Sequence, residues 1–200
     1  MMKKMASIAL LPLLLLLPMC SGGSSDAPGS PAGPSASGKG TLRVMLTDKP
    51  AEAFTQVNVT IAAVRIHKSA GAAEGEGEWI ELPVTAAMPT NLLLLRDGVL
   101  LPLCGVTQMP AGEYQQVRLV LAPNTAAAPE NNTVLLADGT VQPIDVPGGS
   151  IKILHLLSLV EGQTTELTLD FDASLSVKRR GNGTYFMQPV VKASSGTDAG

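Results

Sequence analysis

Apolar residues recur at every second position in short runs, a period that lets a strand, but not a helix, bury one face. Leu42, Val44 and Leu46 alternate with Arg43 and Met45, and the run stops at the turn-forming Asp48-Lys49-Pro50. Val57, Val59 and Ile61 repeat the pattern. Val64 and Ile66 continue it out of phase, which predicts one extra residue near Ala62-Ala63, a bulge. After a small, acidic stretch at residues 71–77, Trp79-Ile80-Glu81-Leu82 begins a short strand stopped by Pro83. Met109-Pro110-Ala111-Gly112 predicts a turn into a strand over residues 114–122, with Val117, Leu119 and Leu121 on one face and Gln116, Arg118 and Val120 on the other. Similar runs occupy residues 133–137, 141–146, 164–171, 175–177 and 185–191. Asp138-Gly139, Pro147-Gly148-Gly149, Glu161-Gly162 and Asn182-Gly183 between them suit turns. Many short strands with frequent turns predict an all-β, antiparallel β-sandwich. Residues 151–160 satisfy both a strand and a helical period, and residues 91–95 are too short and uniformly apolar to classify.

The first forty residues read differently. Lys3-Lys4 precede an almost purely apolar run of about twelve residues from Ala6 to Leu17, a signal-peptide pattern too short to span a membrane. Leu17-Pro18-Met19-Cys20 followed by Ser21-Gly22-Gly23 resembles a bacterial lipoprotein box, although Met19 is larger than the small residue usual before the cysteine. In that family the cysteine thiol receives a diacylglycerol and becomes the mature N-terminus. Residues 21–39 are nearly all Gly, Ser, Pro and Ala and predict a tether with a reach on the order of 25 Å. The expected organisation is a leader at 1–19, a lipid-anchored linker at 20–39, a β-sandwich at 40–193 and a disordered tail at 194–200. Expected localisation is the bacterial cell envelope, at the outer-membrane, periplasmic or surface face.

The formal charge of −3 becomes −5 once Lys3 and Lys4 leave with the leader, and aromatics make up 3% of the chain. Nucleic acid binding, which needs clustered cations and stacking rings, is excluded as an expectation. The one basic doublet, Arg179-Arg180, adjoins Gly181-Asn182-Gly183 and reads as a solvated hairpin.

With these landmarks placed, the chain resembles the bacterial lipoprotein family that carries the domain of unknown function 4382. The resemblance rests on Gly40-Thr41-Leu42 with Leu46-Thr47-Asp48-Lys49-Pro50, on Trp79-Ile80-Glu81-Leu82, and on Asn91-Leu92-Leu93-Leu94-Leu95 with Asp97-Gly98. It continues through residues 110–119, Leu169-Asp170-Phe171-Asp172 and residues 185–191. It implies an immunoglobulin-like or prealbumin-like sandwich behind a lipoprotein signal and carries no activity. Asn91 stands where relatives would have an aspartate.

Cys20 is the expected lipidation site. Asp170 and Asp172, two apart in a strand, project from the face opposite Leu167, Leu169 and Phe171. With Asp48 from another strand end they form a candidate calcium site, against the alternative that they cap turns. Cys104 reads as a buried small hydrophobe, His67 and His155 as structural, Trp79 as core filler, and Tyr114 as a hydroxyl tied to nearby backbone. No catalytic residue or cofactor motif emerges. The expected function is therefore non-enzymatic: an interaction or structural module, anchored to the membrane, with an envelope protein or polysaccharide as partner. A calcium-dependent or small-ligand/carbohydrate-binding module is the alternative, and an uncharacterised hydrolase the third reading.

Overall fold

The computed structural model describes residues 38–49, 54–85 and 87–198; the leader, Cys20 and the linker through residue 37 lie outside them, as does Pro50. Fifteen strands form three sheets, so the chain is all-β with several sheets and no barrel among the described residues. In the first sheet, β1 (Lys39–Asp48) lies between β12 (Thr164–Phe171) on one edge and β6 (Leu101–Pro102) with β7 (Thr107–Pro110) on the other. β15 (Val191–Asp198) lines the far side of β12. The second runs in the order β13 (Val177–Arg179), β14 (Tyr185–Met187), β10 (Val141–Asp145), β9 (Thr133–Leu135), β2 (Gln56–Val59), β5 (Thr90–Asn91). The third is β11 (Ser150–Leu159), β8 (Gly112–Leu121), β3 (Ile61–His67), β4 (Ile80–Leu82).

The alternation in β1 does what the sequence predicts: Leu42, Val44 and Leu46 are fully buried on one face. They pack with Leu167, Leu169 and Phe171 of β12 and with Val57, Val64, Val117, Leu119, Val134 and Ile144 from the other sheets, in one core. Each such side chain contributes about 1.5–3 kcal/mol when fully buried. The expectation of purely antiparallel pairing fails at two places. β1 pairs with β12, and β10 with β14, in parallel. Residues far apart in sequence supply these partners, so no hairpin turn marks them.

The chain passes from sheet to sheet repeatedly, and three of these passages have a visible local cause. At Thr60 the chain leaves the second sheet for the third, and the register of β3 on β8 then shifts between Ile61 and Ala63, the bulge read from the sequence. The expected turn at Met109-Pro110-Ala111-Gly112 is instead a kink between β7 in the first sheet and β8 in the third. Pro110 sits at the end of β7, opposite Lys39. Gly112 has φ 140° with open space where a Cβ would lie, so its backbone, not crowding, requires glycine. Tyr114 closes this corner by donating its hydroxyl to the Pro110 carbonyl at 2.8 Å. The third passage, from β10 to β11, is a 3-10 turn at Pro147–Gly149.

Residues 151–160, ambiguous in sequence, are strand through Leu159, in β11 (Ser150–Leu159), whose register on β8 shifts between Leu154 and Leu157. Residues 91–95 hold the end of β5 and a 3-10 turn at Leu92–Leu94. Residues 175–177, expected as strand, instead contribute to a helical turn, α1 (Ala173–Ser176), and to the start of β13. β15 runs to Asp198, through residues the sequence assigned to a tail, because β12 offers it eight registered partners.

Candidate functional site

Parity decides where the three candidate carboxylates go. Asp48 shares the core face of β1 with Leu42, Val44 and Leu46 and is registered with Phe171, whereas Asp170 is registered with Thr47 on the opposite face. Asp172 lies past the end of β12 and caps α1: its Oδ1 accepts from Leu175 N at 3.0 Å and from Ser174 Oγ at 2.8 Å. The Lys49 ammonium lies 4.0 Å from Asp170 and 3.9 Å from Asp172. These residues are neighbours in space, but their oxygens are divided between two sides of a sheet, a helix cap and a lysine. Among the described residues no three His, Cys, Asp or Glu side chains are grouped to hold a metal. The capping alternative therefore describes Asp172, and the calcium expectation finds no common centre.

Asp48 is 4% exposed. Its Oδ1 accepts from Ala173 N at 2.9 Å, while Oδ2 has no partner among the described residues. Burial pushes its carboxyl up to about 6; the Ala173 and Lys49 amides oppose this, and the charges of Asp172 and Asp170 add to it.

The residues expected to be structural are placed so, with one departure. Cys104 is buried, and burial pushes its thiol up to about 11. Asn91 Oδ1 accepts from Val57 N and Leu93 N, both at 3.2 Å, an acceptor role that an aspartate could equally fill. Trp79 is not core filler. Residues 68–79 fold across the face of the third sheet opposite Val117 and Leu119, and Arg118 clasps them there. Its guanidinium lies 5.0 Å from the Trp79 ring, donates to Ala72 O at 3.1 Å and pairs with Glu74 at 3.3 Å. His67 joins the clasp, with Nε2 3.0 Å from Gly77 O and Nδ1 accepting from Ser69 N at 2.8 Å, which fixes the neutral Nε2–H tautomer. His155 Nε2 is 3.0 Å from Ser195 Oγ, but this contact is exposed and lines neither of the cavities described next.

Those two adjoining cavities form a groove that sequence reasoning missed. The larger, about 540 Å³, opens where Ala122-Pro123-Asn124 leave β8, where β10 turns toward β11, and beside the β13–β14 hairpin. Its apolar lining includes Leu121, Pro143, Ile144 and Val146. Asn124 is locked in place: Nδ2 donates to Asn132 O at 2.9 Å and Ile144 O at 3.3 Å, and Oδ1 accepts from Asn132 N at 2.7 Å. Across from it, Arg180 Nη2 meets Asp145 Oδ2 at 2.6 Å, with the guanidinium 4.6 Å from the Phe186 ring. Asn182 closes the hairpin beneath Arg180 by accepting from Thr184 N and Oγ1. The second cavity, about 470 Å³, shares Asn124 and Pro143 with the first and continues past Thr125, Pro129 and Glu130. The Asp145–Arg180 pair is half-exposed, so it adds only about 0–1 kcal/mol to stability, but it sets donors and acceptors next to each other at the mouth of the cavity. Residues 124, 145 and 180 lie on different elements, so their meeting had no sequence signature; the Arg179-Arg180 doublet was the one signal available.

No curated protein and no solved structure matches the chain. The family model described as "Domain of unknown function (DUF4382)" matches residues 39–189, a segment that runs from β1 through β14 and includes both walls of the groove. The chain therefore belongs to the DUF4382 family.

Proposed function

We propose that this chain is a bacterial envelope lipoprotein. In this reading Cys20 carries the lipid, residues 21–39 are the tether, and an immunoglobulin-like or prealbumin-like sandwich serves as a non-enzymatic binding module. The single core shared by several sheets supports the sandwich, and the leader pattern with Leu17-Pro18-Met19-Cys20 supports the anchor.

One observation carries the binding role: the paired cavities are walled by prolines, locked amides and an ion pair. Cys104 lies in the core, His67 binds loop backbone and His155 meets an exposed strand, while the two carboxylates that line the cavities are Asp145, paired with Arg180, and Glu130. A preformed concavity of several hundred Å³ with a few oriented polar groups is the usual form of a ligand site. This favours the small-ligand alternative over a calcium-dependent one, because Asp48 faces the core, Asp170 the opposite side of the sheet, and Asp170 and Asp172 already share the Lys49 ammonium.

Crosslinking in intact cells, followed by affinity recovery and mass spectrometry, tests the reading. We expect a mature chain beginning at diacylated Cys20, with crosslinks concentrated around residues 124, 145 and 180. Recovery of unmodified, soluble protein overturns the anchor, and crosslinks that avoid the groove overturn the assigned site.

A further inference from the structure

We propose that the groove takes an extended, uncharged oligosaccharide, with a vicinal diol of one sugar unit seated on the Asp145–Arg180 pair. This rests on the binding-module reading and names its ligand class.

Three features lead there. The first is extent: two cavities of about 540 and 470 Å³ share Asn124 and Pro143 in their walls, so a ligand of linked units can contact both. The second is the chemistry of the pair. Each sugar hydroxyl both donates and accepts, so it can donate to a carboxylate oxygen while accepting a guanidinium N–H. The 2.6 Å contact uses one Arg180 nitrogen and one Asp145 oxygen, which leaves further donors and acceptors side by side for two adjacent hydroxyls. Because the pair is neutral as a unit, an ionic ligand would have to separate it, whereas a diol need not. Support from Phe186 and from the closed hairpin keeps Arg180 oriented before any ligand arrives.

The third feature argues against a peptide. An extended peptide gains affinity by pairing its backbone with a free strand edge. The groove strand, β10, is already paired with β9 on one side and β14 on the other, and Pro143 has no N–H to offer. No free strand edge is offered there, which suits a ligand whose polar groups are hydroxyls.

The test uses the full chain in detergent micelles on an array of immobilised hexose, pentose and N-acetylhexosamine oligosaccharides, with hits measured by calorimetry. Each hit is repeated with its per-O-methylated form, which keeps the linked rings and their oxygens but cannot donate, and with deoxy forms that lack one hydroxyl of each vicinal pair without added bulk. We expect at least one oligosaccharide to bind, its methylated and deoxy forms not to, and Asp145→Asn and Arg180→Gln each to weaken binding by about tenfold or more. Thermal melts of both variants should match the parent, since the pair is half-exposed. Binding that survives both substitutions, or that tolerates methylation or the deoxy forms, overturns the proposal. A silent array combined with an envelope protein crosslinked at the groove overturns the sugar assignment and leaves the binding module standing. A silent array with no groove crosslinks removes both.

Discussion

Replacing Asp48 with asparagine should stabilise the protein at neutral pH and do nothing in acid. Burial holds the carboxyl near pH 6 in the folded protein, against 3.8 for the ordinary group. The folded chain thus binds this proton more tightly than the unfolded chain does. Stability from Asp48 is fully present below pH 3.8 and is lost as pH rises through 6. A difference of about 2 units at about 1.4 kcal/mol each puts the cost of ionising Asp48 in place at up to about 3 kcal/mol above pH 7. Asparagine keeps an oxygen for the Ala173 amide, which Asp48 now accepts at 2.9 Å, and has no charge to bury. For a domain of this size about 3 kcal/mol corresponds to roughly 6–12 °C in melting temperature. Calorimetric melts of parent and Asp48→Asn from pH 3.5 to 8 measure it directly. The gain should be largest above pH 7, shrink through pH 6 and vanish near pH 4. A variant that melts at or below the parent at pH 7.5, or a difference flat across the range, would refute the reasoning.

Tyr114→Phe removes the hydroxyl that Pro110 O accepts and should cost about 1 kcal/mol in urea unfolding, with the slope unchanged. Arg118→Met strips the clasp from residues 68–79, removing its bond to Ala72 O and its contacts with Glu74 and Trp79; a loss of about 1–3 kcal/mol and a red-shifted Trp79 emission are expected. An unshifted spectrum would mean that Arg118 does not hold Trp79. Because Lys49 already faces Asp170 and Asp172, neither excess calcium nor a chelator should move the melting temperature by more than about 1 °C. A calcium-dependent rise would restore the metal reading.

How far the sequence could be read depended on whether the cause of a feature was local. The bulge near Ala62 was visible because a break in a period of two can be seen in one strand alone. The Asp138-Gly139 and Asn182-Gly183 hairpins were visible for the same reason: positive φ at Gly139 and Gly183 is a local demand. The kink at Gly112 used turn residues, and nothing nearby distinguished a reversal from a change of sheet. Asp172 looked like an in-strand carboxylate because the end of β12 at Phe171 is set by α1, whose start Asp172 itself caps. Even so, the burial of Asp48 was implicit in the alternation: it is the next residue of the same parity after Leu42, Val44 and Leu46. The groove had no such signal. Asp145 and Arg180 are brought together by the parallel β10–β14 pairing, and Asn124 joins them through its bonds to Asn132 and Ile144; partner choice across long separations leaves no trace in one sequence.

The parallel pairing of β1 with β12 also bears on mechanics. Residues before Gly38 connect to the domain through the start of β1, so any load carried by that segment is applied along this strand. β1 is hydrogen-bonded on both edges, to β12 over Thr41–Asp48 and to β7 and β6 on the other side. A pull along such a strand loads many bonds together in shear rather than opening them one by one. Survival under tension then depends on the rate at which this ladder ruptures rather than on equilibrium stability. In the proposed arrangement, a partner held in the groove would send its load toward the N-terminal segment through the strand with the most neighbours in its sheet.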